Sequence, residues 1–270
     1  MNIGMALNSR NKFSAYLVSC FNIVLLLGTG CLFISPLWAD DITHTIKNVK
    51  PSIVGIGTFK ITRSPAVNFI GTGFVVKDGL NVVTNAHVIP EILDTEHKES
   101  LGIITGNGKS EEFRRAVLVA IDKEHDIAQL KISGTPLPVM ELGDSGTVQE
   151  GQSLVFTGFP IGMILGFYPV THHGMISAIT PVVLPALNSK KLNAKIIKQL
   201  KKSSYAVFQL DGTAYPGSSG SPLYDPETGI VYGVISMVFV NGLKEAALTQ
   251  PSGITYAIPG NFVRHLLQRK

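Results

Sequence analysis

Cysteine is nearly absent: the chain holds two, Cys20 and Cys31, and both fall in an apolar stretch near its start. Past Cys31 no disulfide or thiolate metal site can be drawn, so the remainder must stand on its packed core. Charge is sparse as well, at 16% of residues with a formal net of +4. No basic stripe interleaved with aromatics occurs, which argues against nucleic acid as a partner. Helical periodicity is also scarce, and a parallel α/β fold would need it between strands. Glycine and proline, by contrast, are plentiful, with 27 and 15 residues. In a chain that is 45% hydrophobic and not low-complexity, so many turn formers favour many short strands. A length of 270 residues suffices for one large all-β domain or two small ones.

Before Asp40 the only charged side chains are Arg10 and Lys12. An apolar stretch then runs from Phe13 to Trp38, and Leu37-Trp38-Ala39 precedes Asp40-Asp41. This order reads as a secretory signal over residues 1–39, cleaved before Asp40. The other reading is an uncleaved signal anchor, associating with a membrane through residues 13–38; Ser35-Pro36 breaks that helix. A lipoprotein site at Cys31 is disfavoured by Gly28, where Leu is wanted. Export follows on either reading: periplasmic or secreted if cleaved, membrane-anchored and facing the periplasm if not. Without Arg10 and Lys12 the formal charge falls from +4 to about +2.

From Ile53 onward short apolar runs alternate with turn signals. Ile53–Phe59, Gly73–Val76, Val82–Thr84, Ala116–Asp122 and Ile127–Ile132 read as strands of a first half. Ser133–Thr147, rich in Gly and Pro, reads as a connector. Ser153–Gly158, Gly174–Ala178, Ala206–Leu210, Ile230–Val238 and Ile254–Ile258 form a matching second half. The expected fold is all-β: two packed antiparallel six-stranded-type barrels, at about 45–135 and 148–258, inside one domain of 40–270. A short C-terminal helix over Asn261–Gln268 should close the domain against the second barrel. Ser189–Lys202, with six lysines opposite Leu192, Ile196, Ile197 and Leu200, reads as an amphipathic helix in a surface insertion, or as a basic lid.

The chemistry concentrates in three stretches. In Tyr215-Pro-Gly-Ser-Ser-Gly-Ser-Pro-Leu223, glycines beside serine allow an exposed tight turn of the kind a hydroxyl nucleophile needs. On its own such a run is also a plain flexible loop. His87, in Val82-Val-Thr-Asn-Ala-His-Val-Ile89, follows an apolar strand and could take the serine proton. Asp126, in Glu124-His-Asp-Ile-Ala-Gln-Leu130, sits at the head of a strand and could hold the imidazole tautomer. The chain order His…Asp…Ser is that of one known catalytic triad.

Together VVTNAHVI, DIAQLKI, LPVMELGDSG, TGFPIG, HGMISAI, QLDGTAYPGSSGSPL, GVIS and GITYAIP resemble, in order, the landmarks of the HtrA/Deg family of serine proteases. The resemblance runs from about Val49 to Leu267. It implies a chymotrypsin-like double β-barrel with the active site between barrels, His87, Asp126 and Ser219 as triad, and the N–H groups of Gly217 and Ser219 as oxyanion donors. Two positions depart from the family pattern: Ser218 stands where Asn is usual, and Ser221 where a second Gly is usual. Family members typically carry PDZ domains after the protease, and this chain reads as a stand-alone protease domain.

The function implied is a serine endopeptidase acting on exported or misfolded proteins in protein quality control. The rival is a weakly active or inactive protease-like binding or chaperone module, which Ser221 keeps open. Expected partners are unfolded or exposed polypeptides; self-association into a homo-oligomer is left open. No cofactor or metal is expected, since His172-His173 face opposite sides of a strand and no carboxylate or Cys cluster joins them. His125, next to Asp126, is expected to point to the other face of its strand in a surface or satisfied polar role. Trypsin-like enzymes that cut after Lys or Arg resemble one another in an Asp six residues before the nucleophile; here that position is Thr213. The substrate pocket is therefore expected to be shallow and apolar, formed by Thr213, Ile235, Ser236, Met237 and Val238.

Overall fold

A computed structural model of the chain describes residues 38–106, 110–160, 166–181, 205–237 and 254–269. Residues 1–37 (all but the last two of the expected 1–39 export segment), the Ser189–Lys202 helix and Val238 lie outside the described residues. Among the described residues twelve strands form two closed barrels. The first contains β1 (Ile53–Phe59), β2 (Val67–Val76), β3 (Asn81–Thr84), β4 (Ser100–Gly106), β5 (Glu111–Asp122) and β6 (Ile127–Ile132). The second contains β7 (Ser153–Gly158), β8 (Val170–Pro181), β9 (Ala206–Asp211), β10 (Pro222–Tyr224), β11 (Val231–Ser236) and β12 (Ile254–Pro259). The order β1-β2-β3-β6-β5-β4 recurs in the second barrel as β7-β8-β9-β12-β11-β10. All twelve strand-to-strand pairings are antiparallel; an isolated parallel bridge joins Leu142 of the connector to Val231. The expected fold class is the one observed.

Two strands had no counterpart in the sequence reading. β10 is three residues long and opens on Pro222, a position a strand tolerates because the first residue need not donate. β4 carries Gly102, over which the Phe113 ring and the Arg114 backbone lie too close for a Cβ. Neither gives the period-two alternation of a half-buried strand.

β1 shows how the barrels share a core. Val54 and Ile56 point into the first barrel, whereas Ile53 joins a second cluster with Phe74, Val155, Tyr224 and Val231. That cluster draws on both barrels, so strands bordering it are buried on both faces and lose their alternation. A separate cluster around Phe156, Ile176, Leu210 and Ile235 fills the second barrel.

The C-terminal helix (Gly260–Gln268) buries Val263, Leu266 and Leu267 in the shared cluster, each contributing roughly 1.5–3 kcal/mol by area. It packs on both barrels rather than the second alone, against β5 and β6 as well as β11 and β12. Its start is locked to the connector: Asn261 N–H donates to Ser145 Oγ at 3.0 Å, and Asn261 Nδ2 to Asp144 Oδ1 at 2.8 Å. A further helix, Trp38–Val49, is tied down where Thr45 Oγ1 donates to the Glu227 carbonyl at 2.8 Å. No helix among the described residues is long and apolar enough to cross a bilayer.

Candidate active site

His87 stands in a single 3-10 turn, Ala86–Val88, directly after β3. Val88 is buried in the first-barrel core and fixes the turn, while the imidazole stays about a third exposed, at 34%. Asp126 is the last residue of the β5–β6 turn, one position before β6 rather than within the strand. Its backbone is left-handed, at φ +54, a conformation open to Asp but uncommon for any residue with a Cβ.

Three groups hold Asp126 there. Asn85 Nδ2 donates to its carbonyl at 2.9 Å. The His87 N–H donates to Oδ1 at 3.0 Å. From the second barrel, the buried Ser236 hydroxyl donates to Oδ2 at 2.8 Å. The His87 ring then meets the same carboxylate, with Nδ1 2.8 Å from Oδ2 and 3.0 Å from Oδ1. A proton held on Nδ1 leaves Nε2 free to accept one.

Ser219 lies in the turn between β9 and β10. Its Oγ accepts from the Met237 N–H at 3.4 Å. The turn folds on itself through Ser218 N–H to Tyr215 O, 2.9 Å, and Ser221 N–H to Ser218 O, 3.0 Å. Gly217 and Gly220 sit at φ +96 and +88. At Gly220 a Cβ would collide with the Thr72 carbonyl oxygen, so no other residue fits. Among the described residues the N–H groups of Gly217 and Ser219 donate to nothing.

The two serines beside the nucleophile candidate differ from it. Ser218 Oγ and Ser221 Oγ are sealed from solvent and have no hydrogen-bond partner among the described residues. Ser221 occupies space over Gly158, where a Cβ would strike its hydroxyl. The side chain at Ser221 is thus accommodated by the missing Cβ of Gly158 on the neighbouring strand β7.

The expected pocket is brought together only in part. Ile235 points into the second-barrel core, and Ser236 is turned toward Asp126, so these two side chains face the interior and not a pocket. Thr213 and Met237 are half-buried. His172 lies with its ring parallel to Phe156 at 5.0 Å and 6.0 Å from the Tyr215 ring. Burial holds its imidazole below the ordinary histidine range. His173 is exposed.

Sequence reasoning missed two supports. Thr72 Oγ1 donates to Gly217 O at 2.7 Å and accepts from Phe159 N–H at 3.0 Å. Thr255 Oγ1 donates to Gly212 O at 2.7 Å and accepts from Ala214 N–H at 2.9 Å, fixing the approach to the turn. The one signal for Thr72 was a hydroxyl between two glycines in a buried strand.

Residues 71–234 match the family model described as a trypsin-like peptidase domain. Among curated proteins the chain is similar to a "Probable periplasmic serine endoprotease DegP-like" of Halomonas elongata, 29% identical over 191 residues, which are 70% of this chain and 32% of that one. It is similar also to "Serine protease HTR4" of Rattus norvegicus, 30% identical over 236 residues, 84% of this chain and 40% of that one. The chain therefore spans 32% to 40% of the length of these relatives. Among solved structures, "Crystal structure of Deg5" aligns with a TM-score of 0.60 at 23% identity, over 86% of this chain and 94% of that one. "HtrA-type protease AlgW with tripeptide" aligns with a TM-score of 0.56 at 24% identity, over 84% and 62%.

Proposed function

This chain belongs to the trypsin-like peptidase family, as an HtrA/Deg-like serine protease domain, and from that premise we propose that it cleaves internal peptide bonds of exported or misfolded proteins through His87, Asp126 and Ser219. The observation that carries the reading is the convergence on one carboxylate: His87 Nδ1 and Ser236 Oγ both lie 2.8 Å from Asp126 Oδ2.

In the proposed reaction Ser219 Oγ attacks the scissile carbonyl carbon as His87 Nε2 takes its proton. Asp126 keeps the other ring proton on Nδ1 and stabilises the imidazolium. The carbonyl oxygen becomes an oxyanion and is met by the Gly217 and Ser219 N–H groups. Collapse expels the amine, which leaves with the proton from His87, and an acyl group remains on Ser219. Water activated by His87 then releases the acid and restores the serine.

The relatives named as periplasmic support a periplasmic site of action, with residues 1–39 as the export segment. Cleavage of an unstructured protein by the purified chain, lost on Ser219→Ala, tests the reading; equal cleavage by both would refute it.

A further inference from the structure

His125 neighbours the proposed catalytic aspartate and yet takes no part in the mechanism. It lies not on a strand but in the β5–β6 turn, and its side chain is only 17% exposed. Its ring stacks on Phe262 of the C-terminal helix at 3.9 Å and 18°, and is flanked by the Tyr205 ring at 4.6 Å. Tyr205 and Phe262 also contact each other edge to face, 5.3 Å apart. Both come from the second half of the chain, whereas His125 belongs to the first barrel.

The polar edge of the ring is equally engaged. His125 Nδ1 lies 3.0 Å from Asp122 Oδ2, and Arg269 Nη2 donates to the same oxygen at 3.0 Å. Asp122 Oδ1 accepts the N–H groups of Glu124 and His125 at 3.2 and 3.1 Å, and Tyr205 Oη donates to the Glu124 carbonyl at 3.1 Å. Burial alone would raise the Asp122 carboxyl; the hydrogen bonds from His125 and the His125 and Arg269 charges outweigh it and hold the group below the ordinary carboxylate range. Burial first, then the charges of Asp126, Glu124 and Asp122, push the Tyr205 phenol up to about 12, so it stays a donor at any working pH.

The turn from Asp122 to Asp126 is thereby gripped on both sides, and it ends in the left-handed residue whose carboxylate meets His87. A strained backbone of this kind persists only where its surroundings over-determine it. We propose that His125 is a positioning residue: clamped between Phe262 and Tyr205 and tied to Asp122, it sets the orientation of Asp126 toward His87. The inference rests on the peptidase reading above and adds the C-terminal helix to the parts that tune it. Stacking on an aromatic is specific in geometry, which a plain packing residue would not require.

The test is the rate at which a fluorophosphonate probe labels the full chain, measured for wild type, His125→Ala, Asp126→Asn and the double variant, each verified to melt cooperatively. His125→Ala should slow labelling by about tenfold to a hundredfold, the scale expected for a misplaced catalytic group, and His125→Phe should recover part of that loss by restoring the stack. In the Asp126→Asn background His125→Ala should cost nothing more, because the group it positions has already lost its charge. Labelling by His125→Ala at the wild-type rate, or an equal fold-loss in both backgrounds, overturns the proposal. Should His125→Ala fail to fold, Phe262→Leu keeps apolar packing, removes the stacked ring, and carries the same two outcomes. A wild type that is not labelled refutes the peptidase reading and this proposal with it; a labelled wild type with an indifferent His125→Ala refutes only the clamp.

Discussion

Thr72 on the first barrel holds Ser219 on the second: the Thr72 N–H donates to the Ser219 carbonyl at 2.9 Å. The same residue's hydroxyl bridges Gly217 O and Phe159 N–H, so one side chain fixes the Ser219 turn relative to the barrel that carries His87 and Asp126. Thr72→Val keeps the shape and removes the bridge. Leaving buried polar groups unpaired should lower stability by about 2 kcal/mol and reduce turnover together with it. Urea unfolding and initial rates provide the readout, and unchanged stability would show that the bridge is idle.

Ser236→Ala should act on rate and not on substrate affinity. The hydroxyl is buried and bonded to the Asp126 carboxylate, and hydrogen bonds to charged groups contribute about 1.5–3 kcal/mol. If that strength is felt mainly when the imidazolium forms, kcat should drop by about ten- to a hundredfold with KM nearly constant. A change confined to KM would assign Ser236 to the pocket after all.

His172 gives a pH dependence with a definite sign. Its folded-state pKa lies below the ordinary value because burial disfavours the cation. The unfolded chain therefore binds its proton first as pH falls. The stability this neutral side chain contributes is complete above about pH 6.5 and is lost as pH drops from there toward the folded pKa. His172→Phe should flatten that part of the melting-temperature profile between neutral and mildly acidic pH. An unchanged slope would locate the acid sensitivity elsewhere.

Specificity is predicted to rest on Thr213, six residues before the proposed nucleophile. No carboxylate stands at that half-buried position, and an unpaired cation desolvated there would be costly. Cleavage should favour Val, Ala, Leu or Ile before the cut bond, graded by about 1 kcal/mol per buried methylene. Sites mapped in a digested unfolded protein decide it: a majority of cuts after Lys or Arg would overturn this view of the pocket.

Most of the architecture was legible because glycine and proline punctuate short apolar runs, and because His87, Asp126 and Ser219 each sit in a stretch with its own turn chemistry. What escaped had physical reasons. β1 and β10 are buried on both faces, so alternation could not mark which side chain meets which core; Ile235, on β11, was read as pocket wall from its place in the 234–238 stretch and instead fills the second barrel. His125 was expected on a strand face because it adjoins the strand that begins at Ile127, and the left-handed backbone at Asp126, which closes the turn, is not specified by an Asp alone. Thr72 and Ser236 act across the interface between barrels, over sequence separations of 145 and 110 residues, a relation that only the closed fold reveals.

The most direct measurement of the central claim is the site of covalent modification by a fluorophosphonate. Peptide mapping of the labelled chain should place the adduct on Ser219 alone. Ser219→Ala and His87→Ala should abolish it, while Ser218→Ala should keep most of it, since Ser218 Oγ is sealed within the turn. An adduct on Ser218, or labelling that survives Ser219→Ala, would contradict the assignment of the nucleophile.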